Sequence, residues 1–386
     1  MQLKTTAFSS QVPKKTFRVL GMMSGTSMDA LDLVTSEFSW AQDSEGWSGQ
    51  IIEGTEIPLG SHWPKRFAQL EEGSAIDWFE CERDWTRWCA NAIREVVDLS
   101  EVDLIVFSGQ TIFHRPEQGW TGQLGSGAEL FALLGASVPV VSDLRSADVA
   151  LGGQGAPLVP VADALLFSTY EACLNLGGFA NISLEQAGHR RAWDVGPCNL
   201  VLNALAQRED LEFDFGGQLA RSGQIIPGLC AAWSQLPYHG MQFPKSLGVE
   251  WLHQSFWPIL ADAEQHGMLD TRDLLATATA YIASEIRSDA AGRRTLITGG
   301  GAFNDYLLHA LTMPETREVR FAPVDAAVPS EDLIKGKEAH AFGFLGLIRW
   351  LGDRNVWSSV TGCSVSHLGG ALWGKNAVSS PSPNAM

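Results

Sequence analysis

Short apolar, β-branched runs alternate with stretches of helical periodicity along most of the chain, and this alternation limits it to α/β architecture rather than a sandwich or a bundle. Residues 17–23, 31–38 and 51–57 read as three successive strands joined by turns bearing Gly, Ser and Asp, an antiparallel meander. A helix is expected over about 77–97, with Trp85, Trp88, Ala92 and Val96 on one face as core packing. Strands at 103–107 and 138–142 flank a helix at about 128–135, a βαβ pattern. The glycine-bearing segment 146–155 then breaks the rhythm before a proline-started helix at 157–167, and marks the expected crossing between two domains. Beyond it strands are expected at 173–176, 180–184, 295–298 and 319–322, with helices at 199–207, 274–288, 304–311 and 335–351. Both halves run strands first and helices later, without a visible residue-level repeat.

Composition narrows the function. With 386 residues and 45% hydrophobic content the chain can fill two cores, since single cores stop growing near ~250–300 residues. A net charge of −17 repels phosphate backbones and anionic lipid, so nucleic acid and membrane surfaces are excluded as general partners and any anionic ligand must be held locally. The 6 cysteines form no C-x-x-C pair or zinc-like spacing, which fits a reducing cytosol, and no signal-peptide or membrane-spanning run occurs. A cytoplasmic protein is expected, with both polar, proline-containing ends frayed.

Three loops stand out. Gly21-Met22-Met23-Ser24-Gly25-Thr26-Ser27-Met28-Asp29 lies where the first strand turns into the second, and its small and hydroxylated residues let N–H and O–H groups approach an anion while Asp29 could hold a hydrated divalent cation. A self-satisfied Ser/Thr/Gly hairpin is the alternative reading of this turn taken alone. Gly177-Gly178 follows a strand, and Gly299-Gly300-Gly301-Ala302-Phe303-Asn304 joins a strand to a helix whose N-terminus could face a nucleotide. Neither a P-loop nor a dinucleotide-binding G-x-G-x-x-G is present.

Together the blocks GMMSGTSMDALD, SGQTIFHRP, VVSDLRSADVALGGQGAPLVP, NLGGFANIS, WDVGPCN, PKSLGVE, TGGGAFN, GKEAHAFGFL and VTGCSVSHLGG resemble, in order from Gly21 to Gly370, the 1,6-anhydro-N-acetylmuramic acid kinases. The resemblance implies a two-domain actin/hexokinase-like fold with ribonuclease-H-like cores and an interdomain active-site cleft. The first domain would comprise residues 16–145 plus about 367–376, and the second residues 146–366. It further implies an enzyme that uses ATP and Mg²⁺ to open the anhydro bridge of an amino sugar with water and phosphorylate the released 6-oxygen, a step of peptidoglycan recycling. A homodimer is implied as well.

By motif position the resemblance makes Asp194 the base that activates water, as in an inverting glycosidase, with Glu338 orienting the same water or biasing that base. The departing 6-oxygen needs no separate acid if it captures the phosphoryl group. Ser24, Gly25, Thr26, Ser27, Met28, Asp29, Ala30 and Leu31 would manage the phosphates, with Asp29 toward the metal. Gly177, Gly178, Gly299, Gly300, Gly301 and Asn304 would contact the nucleotide. Gln110, Arg145 and Asp148 would bind the sugar, Arg145 offering its planar fork to the lactyl carboxylate or else pairing with Asp143 or Asp148.

The chain departs from the family pattern at Ser108 and Asp163, where histidine is usual, and at Ser126, Ala30, Val195, Cys198, Asn203 and Gly216. Such changes leave two alternatives open. One is a kinase for a different anhydro sugar such as levoglucosan; the other is a catalytically silent protein that binds sugar and nucleotide.

Overall fold

The computed structural model describes residues 16–25, 28–41, 46–243, 245–265 and 267–375. Thr26 and Ser27, and both chain ends expected to fray, lie outside the described residues. In chain order the strands are β1 (Thr16–Ser24), β2 (Ala30–Ala41), β3 (Gly46–Pro58), β4 (Leu104–Phe107), β5 (Gln110–Arg115), β6 (Trp120–Leu124), β7 (Val140–Ser142), β8 (Ala172–Leu176), β9 (Phe179–Gln186), β10 (His189–Pro197), β11 (Arg294–Thr298), β12 (Asp325–Ala327) and β13 (Ala371–Trp373).

Two compact units result. Met1–Phe167, Gly188–Arg190 and Gly336–Met386 form the first, and Ser168–Ala187 with Arg191–Lys335 the second. The expected division at 145/146 is thereby shifted. Helices Ser146–Ala150 and Val159–Leu166, and most of helix Glu331–Trp350, belong to the first unit. The reason is packing: Leu158, Val161 and Ala162 bury in one cluster with Phe17, Val19, Ala339, Phe342 and Phe344.

The first unit is built on a sheet of order β13-β7-β4-β1-β2-β3, in which β1 runs antiparallel to β2 and parallel to β4. The second has the order β10-β9-β8-β11-β12, with β8 antiparallel to β9 and parallel to β11. Counted along the chain, five strands of each unit read 3-2-1-4-5. This shared order is the ribonuclease-H-like arrangement repeated, and it supplies the duplication that no sequence repeat reveals.

Alternation along β1 explains the layering of the first unit. Val19 joins the apolar cluster containing helix Glu331–Trp350, while Leu20 and Met22 join the cluster containing Trp63, Trp85 and Ile93, on the opposite face. Gly21 permits the close approach of that helix, because a Cβ there would stand 2.0 Å from the Ala339 carbonyl oxygen. In the second unit helix Thr271–Ala290 is buried over most of its length, from Leu274 through Ile286.

The expected meander, the helix now seen at Ala75–Val96 and the strands at β4, β7, β8, β9 and β11 are all present. The strand expected at 319–322 is not: Thr316 and Val319 close a local turn through Thr316 N–H to Val319 O (2.9 Å) and Val319 N–H to Thr316 Oγ1 (2.9 Å). The fifth strand of that sheet instead forms at β12. The β5–β6 hairpin and β10 were not anticipated. No helix among the described residues is long and apolar enough to cross a membrane.

Candidate active site

The β1–β2 turn is braced from beneath. Ser24 Oγ donates to Gln110 Oε1 (2.5 Å) and lies 3.4 Å from the Ala30 carbonyl, while Gln110 Nε2 donates to the carbonyls of Gly25 (3.4 Å) and Thr111 (3.3 Å). Met28 takes a left-handed φ of 54° and closes the turn by donating its N–H to Gly25 O (3.2 Å). Asp29 is exposed at the turn's end, where its carboxylate accepts the Ala30 N–H (3.0 Å) and its carbonyl accepts the Leu59 N–H (2.9 Å).

Beside this turn carboxylates crowd together. Asp32 on β2 pairs in register with Glu56 on β3, which sets two like charges directly opposite one another. Burial first, then the charges of Glu56, Glu338 and Asp29, push the Asp32 carboxyl from 3.8 up to about 7. Glu338 lies exposed on helix Glu331–Trp350. Partial loss of hydration raises its pKa, and the cations of Arg145 and Lys337 partly offset this. Arg145 stacks over the Phe342 ring (5.2 Å to the centroid) and donates Nη1–H to the Gly155 carbonyl (2.8 Å).

In the second unit the residues after β8 and β11 interlock. The carbonyls of Gly177 and Gly178 accept the N–H groups of Asn199 (3.1 Å) and of Cys198 and Leu200 (2.9 and 3.1 Å), which fixes the start of helix Asn199–Ala206. Gly299 has φ 81°, and a Cβ there would meet Asn175 Oδ1 at 2.5 Å. A short 3₁₀ turn, Gly300–Phe303, precedes helix Asp305–Thr312, whose N-cap is Asn304 accepting the Leu307 N–H (3.0 Å).

Asp194 lies near the end of β10 and is half-buried. Its Oδ2 accepts the Leu247 N–H (2.8 Å), its carbonyl accepts the Tyr238 hydroxyl (2.7 Å), and Oδ1 takes no hydrogen bond from any described residue. Burial raises its pKa, with the Leu247 N–H pulling the other way. One carboxylate oxygen is thus anchored and the other left open, the arrangement a general base requires.

A family model for anhydro-N-acetylmuramic acid kinase matches residues 17–375. Proteins named anhydro-N-acetylmuramic acid kinase are similar over nearly their full length. One from Methylobacterium nodulans is 35% identical, covering 92% of this chain and 98% of its own. Those from Paramagnetospirillum magneticum and Synechococcus elongatus are each 33% identical, with 91% and 93% of this chain and 98% and 100% of their own covered. The chain belongs to this family.

Membership makes it an ATP-dependent sugar kinase, a phosphotransferase. Against the family expectation, three residues assigned to ligands are placed as internal braces. Leu31 is 1% exposed with its side chain in the core, because it sits within the sheet between Ser24 and Ile57. Gln110 is 0% exposed and spends both ends of its amide on the β1–β2 turn and its own strand. Asp148 is likewise 0% exposed, its two oxygens accepting the Gly155 N–H (2.7 Å) and the Thr361 hydroxyl (2.6 Å).

The departures from the family pattern are absorbed in a similar way. Asp163 forms a buried ion pair with Lys337 (3.0 Å), Ser126 caps helix Gly127–Leu133 by accepting the Glu129 N–H (3.2 Å), and buried Ser108 donates to its neighbour's carbonyl (3.2 Å). Sequence reasoning passed over Asp32 and Leu247. Both lie inside quoted blocks, GMMSGTSMDALD and PKSLGVE, yet only strand register and the fold of the 245–250 loop reveal what they face.

Proposed function

We propose that this kinase acts on anhydro-N-acetylmuramic acid, adding water across the 1,6-anhydro bridge and transferring the γ-phosphoryl group of ATP to the 6-oxygen. The products are N-acetylmuramic acid 6-phosphate and ADP, which places the reaction in cell-wall recycling. The observation that carries the reading is Asp194, with Oδ2 tied to the Leu247 N–H and Oδ1 without a partner among the described residues. Oδ1 takes a proton from water as the water attacks the anomeric carbon from the face opposite the bridge oxygen, which inverts that centre. The bridge oxygen leaves with its electron pair and attacks the γ-phosphorus, so no protein acid is needed on that side.

Glu338 is the second carboxylate assigned to the sugar end, steadied by the nearby Arg145 charge. Arg145 keeps guanidinium donors beyond the one given to Gly155, and these suit the lactyl carboxylate of a muramic acid. Gln110 and Asp148 serve the sugar only through what they hold in place. At the phosphate end Ser24, Gly25, Met28, Asp29 and Ala30 line the first turn, with Thr26 and Ser27 between them in sequence. Gly177, Gly178, Gly299, Gly300, Gly301 and Asn304 are assigned to the nucleotide.

Mg²⁺ fits the first unit on an observation of charge: Asp32 is driven to about 7 by burial and by its acidic neighbours, a crowding that a divalent cation relieves. Asp29 and Asp32 would hold the ion, which would neutralise the β- and γ-phosphates of ATP. A homodimer in the cytoplasm completes the proposal, and sedimentation of the purified chain tests the first part.

Water labelled with ¹⁸O tests the chemistry. Label at the anomeric hydroxyl of freshly formed product, sampled before mutarotation exchanges it, is expected; label-free product means that a free hydroxyl is phosphorylated instead. Turnover of levoglucosan in preference to the muramic sugar would transfer the same mechanism to another substrate. Binding of both ligands without turnover would make the protein a silent binder.

A further inference from the structure

Within the first unit a group of metal-ligating side chains lies among residues that serve neither the phosphates nor the base. Cys363 Sγ, a ring nitrogen of His367 and a carboxylate oxygen of Asp148 all lie within 4.8 Å of one another. Cys363 is 5% exposed and Asp148 0%. Donor atoms around one tetrahedral zinc ion lie roughly 3.5 Å apart, given Zn–S of about 2.3 Å and Zn–N of about 2.0 Å, so a contraction of roughly 1 Å would close the group on a metal.

The imidazole supplies an independent observation. Its Nδ1 lies 3.0 Å from the Val365 carbonyl, which can accept only if Nδ1 carries the proton. The lone pair then falls on Nε2, an atom buried without any hydrogen-bond partner. A neutral histidine whose N–H is held by a backbone carbonyl and whose other nitrogen lacks a donor is in the state of a metal-bound imidazole.

The backbone around the group is fixed. His367 and Val356 exchange hydrogen bonds (3.0 and 3.2 Å), Ser364 N–H reaches the Leu151 carbonyl (3.0 Å), and Gln154 N–H reaches the Thr361 carbonyl (2.9 Å). The three ligands thus stand on two chain segments already fastened together.

We infer that Cys363, His367 and Asp148 form a structural site for a thiophilic divalent cation of the zinc class, clamping the loop before β13 to the segment that follows helix Ser146–Ala150. The sulfur–nitrogen–oxygen donor set selects zinc or cobalt over magnesium, which prefers oxygen alone. On binding, the Cys363 thiol gives its proton to solvent and its thiolate sulfur bonds the cation, with no change of oxidation state.

The full chain, stripped with a chelator and titrated with Co²⁺, tests the site apart from activity. One equivalent should bind with a thiolate-to-cobalt charge-transfer absorption, Zn²⁺ should displace it, and Mg²⁺ should not. Cys363→Ser should abolish the band, whereas Cys81→Ser, which removes a buried thiol elsewhere, should keep it. His367→Gln, on a partly exposed side chain, should fold and weaken binding about 100-fold. Zinc should raise the melting temperature of the wild type and leave that of His367→Gln unchanged. The inference is overturned by a wild type without the band, by a band that survives in Cys363→Ser, or by His367→Gln binding as tightly as the wild type.

Discussion

The two units share one strand order, yet the turns at equivalent places carry opposite chemistry. Between the first and second strands, the first unit has a turn bearing a serine hydroxyl and an aspartate, with a second aspartate on the strand that follows, and it is held from below by the buried amide of Gln110. The second unit has only Gly177-Gly178, whose carbonyls are consumed in starting a helix. After the fourth strand the two converge again: Gly109 at φ 71° and Gly299 at φ 81° both have a positive φ. The frame demands a positive φ at both places, while the side chains follow whatever each turn must hold. A duplicated fold can therefore assign one ligand end to each copy.

If the base belongs to the second unit alone, removing it should dominate every other change. Asp194→Asn keeps the size of the side chain and its bond to Leu247, and should lower kcat by about 10³-fold with nucleotide affinity little changed. Glu338→Gln should cost less, about 10–100-fold. Steady-state kinetics with calorimetric nucleotide binding decides, and a larger loss at Glu338 would reverse the assignment.

The shared positive-φ glycines can be tested against each other. Alanine at Gly109 would place its Cβ 2.7 Å from the Leu124 carbonyl oxygen, and alanine at Gly299 would place it 2.5 Å from Asn175 Oδ1. Each should destabilise by about 2–3 kcal/mol, read as the midpoint of urea unfolding. A neutral outcome at one position only would show that the units repeat their strand order but not their backbone demands.

How much of this was legible in the sequence follows from which interactions are local. The meander and the glycine loops could be read because apolar alternation and turn residues act over a few positions, whereas Asp194 is assigned only by its place in a block that resembles the family. The place of Asp163 could not be read, because its partner Lys337 is distant in the chain and only packing brings the two to 3.0 Å. The domain boundary was misplaced for a similar reason: the glycines of 152–155 suggest a crossing, but Asp148 and Thr361 hold that segment within the first unit. Gln110 is assigned to the sugar by its place in a family block, and a polar residue there reads the same in sequence whether it faces a ligand or a neighbouring backbone.

That last ambiguity gives a smaller effect. Gln110→Ala removes the acceptor of Ser24 and the donor to Gly25, and should cost about 1–3 kcal/mol while raising the KM for ATP more than that for the sugar. In the second unit the Asn199 side-chain amide donates to the Leu176 carbonyl just before the Gly-Gly turn (3.0 Å), so Asn199→Ala should show a corresponding sensitivity there. An equal rise in both KM values would mean that Gln110 contacts the sugar after all.

The smallest predicted effect concerns acid crowding, and here too the units differ. In the second unit Asp194 and Asp289 are raised by burial but eased by donors, Leu247 N–H and Trp193 Nε1–H. In the first, Asp32 is raised by burial and then further by Glu56, Glu338 and Asp29, reaching about 7 from 3.8. Between those values the folded chain retains a proton that the unfolded chain has released. In metal-free buffer its contribution to stability should therefore be fully present below about pH 4 and fade as pH rises through about 7. Asp32→Asn stays uncharged and should be more stable than the wild type at pH 8, by about 1–2 kcal/mol after allowance for solvent screening. Near pH 4 the two should converge. Mg²⁺ added at pH 8 should narrow the difference by stabilising the wild type alone, since the amide brings no charge for the cation to neutralise. Urea unfolding across this pH range makes the comparison, and an Asn variant less stable than the wild type at pH 8 without metal would show that the carboxylate is better compensated than its acidic neighbours imply.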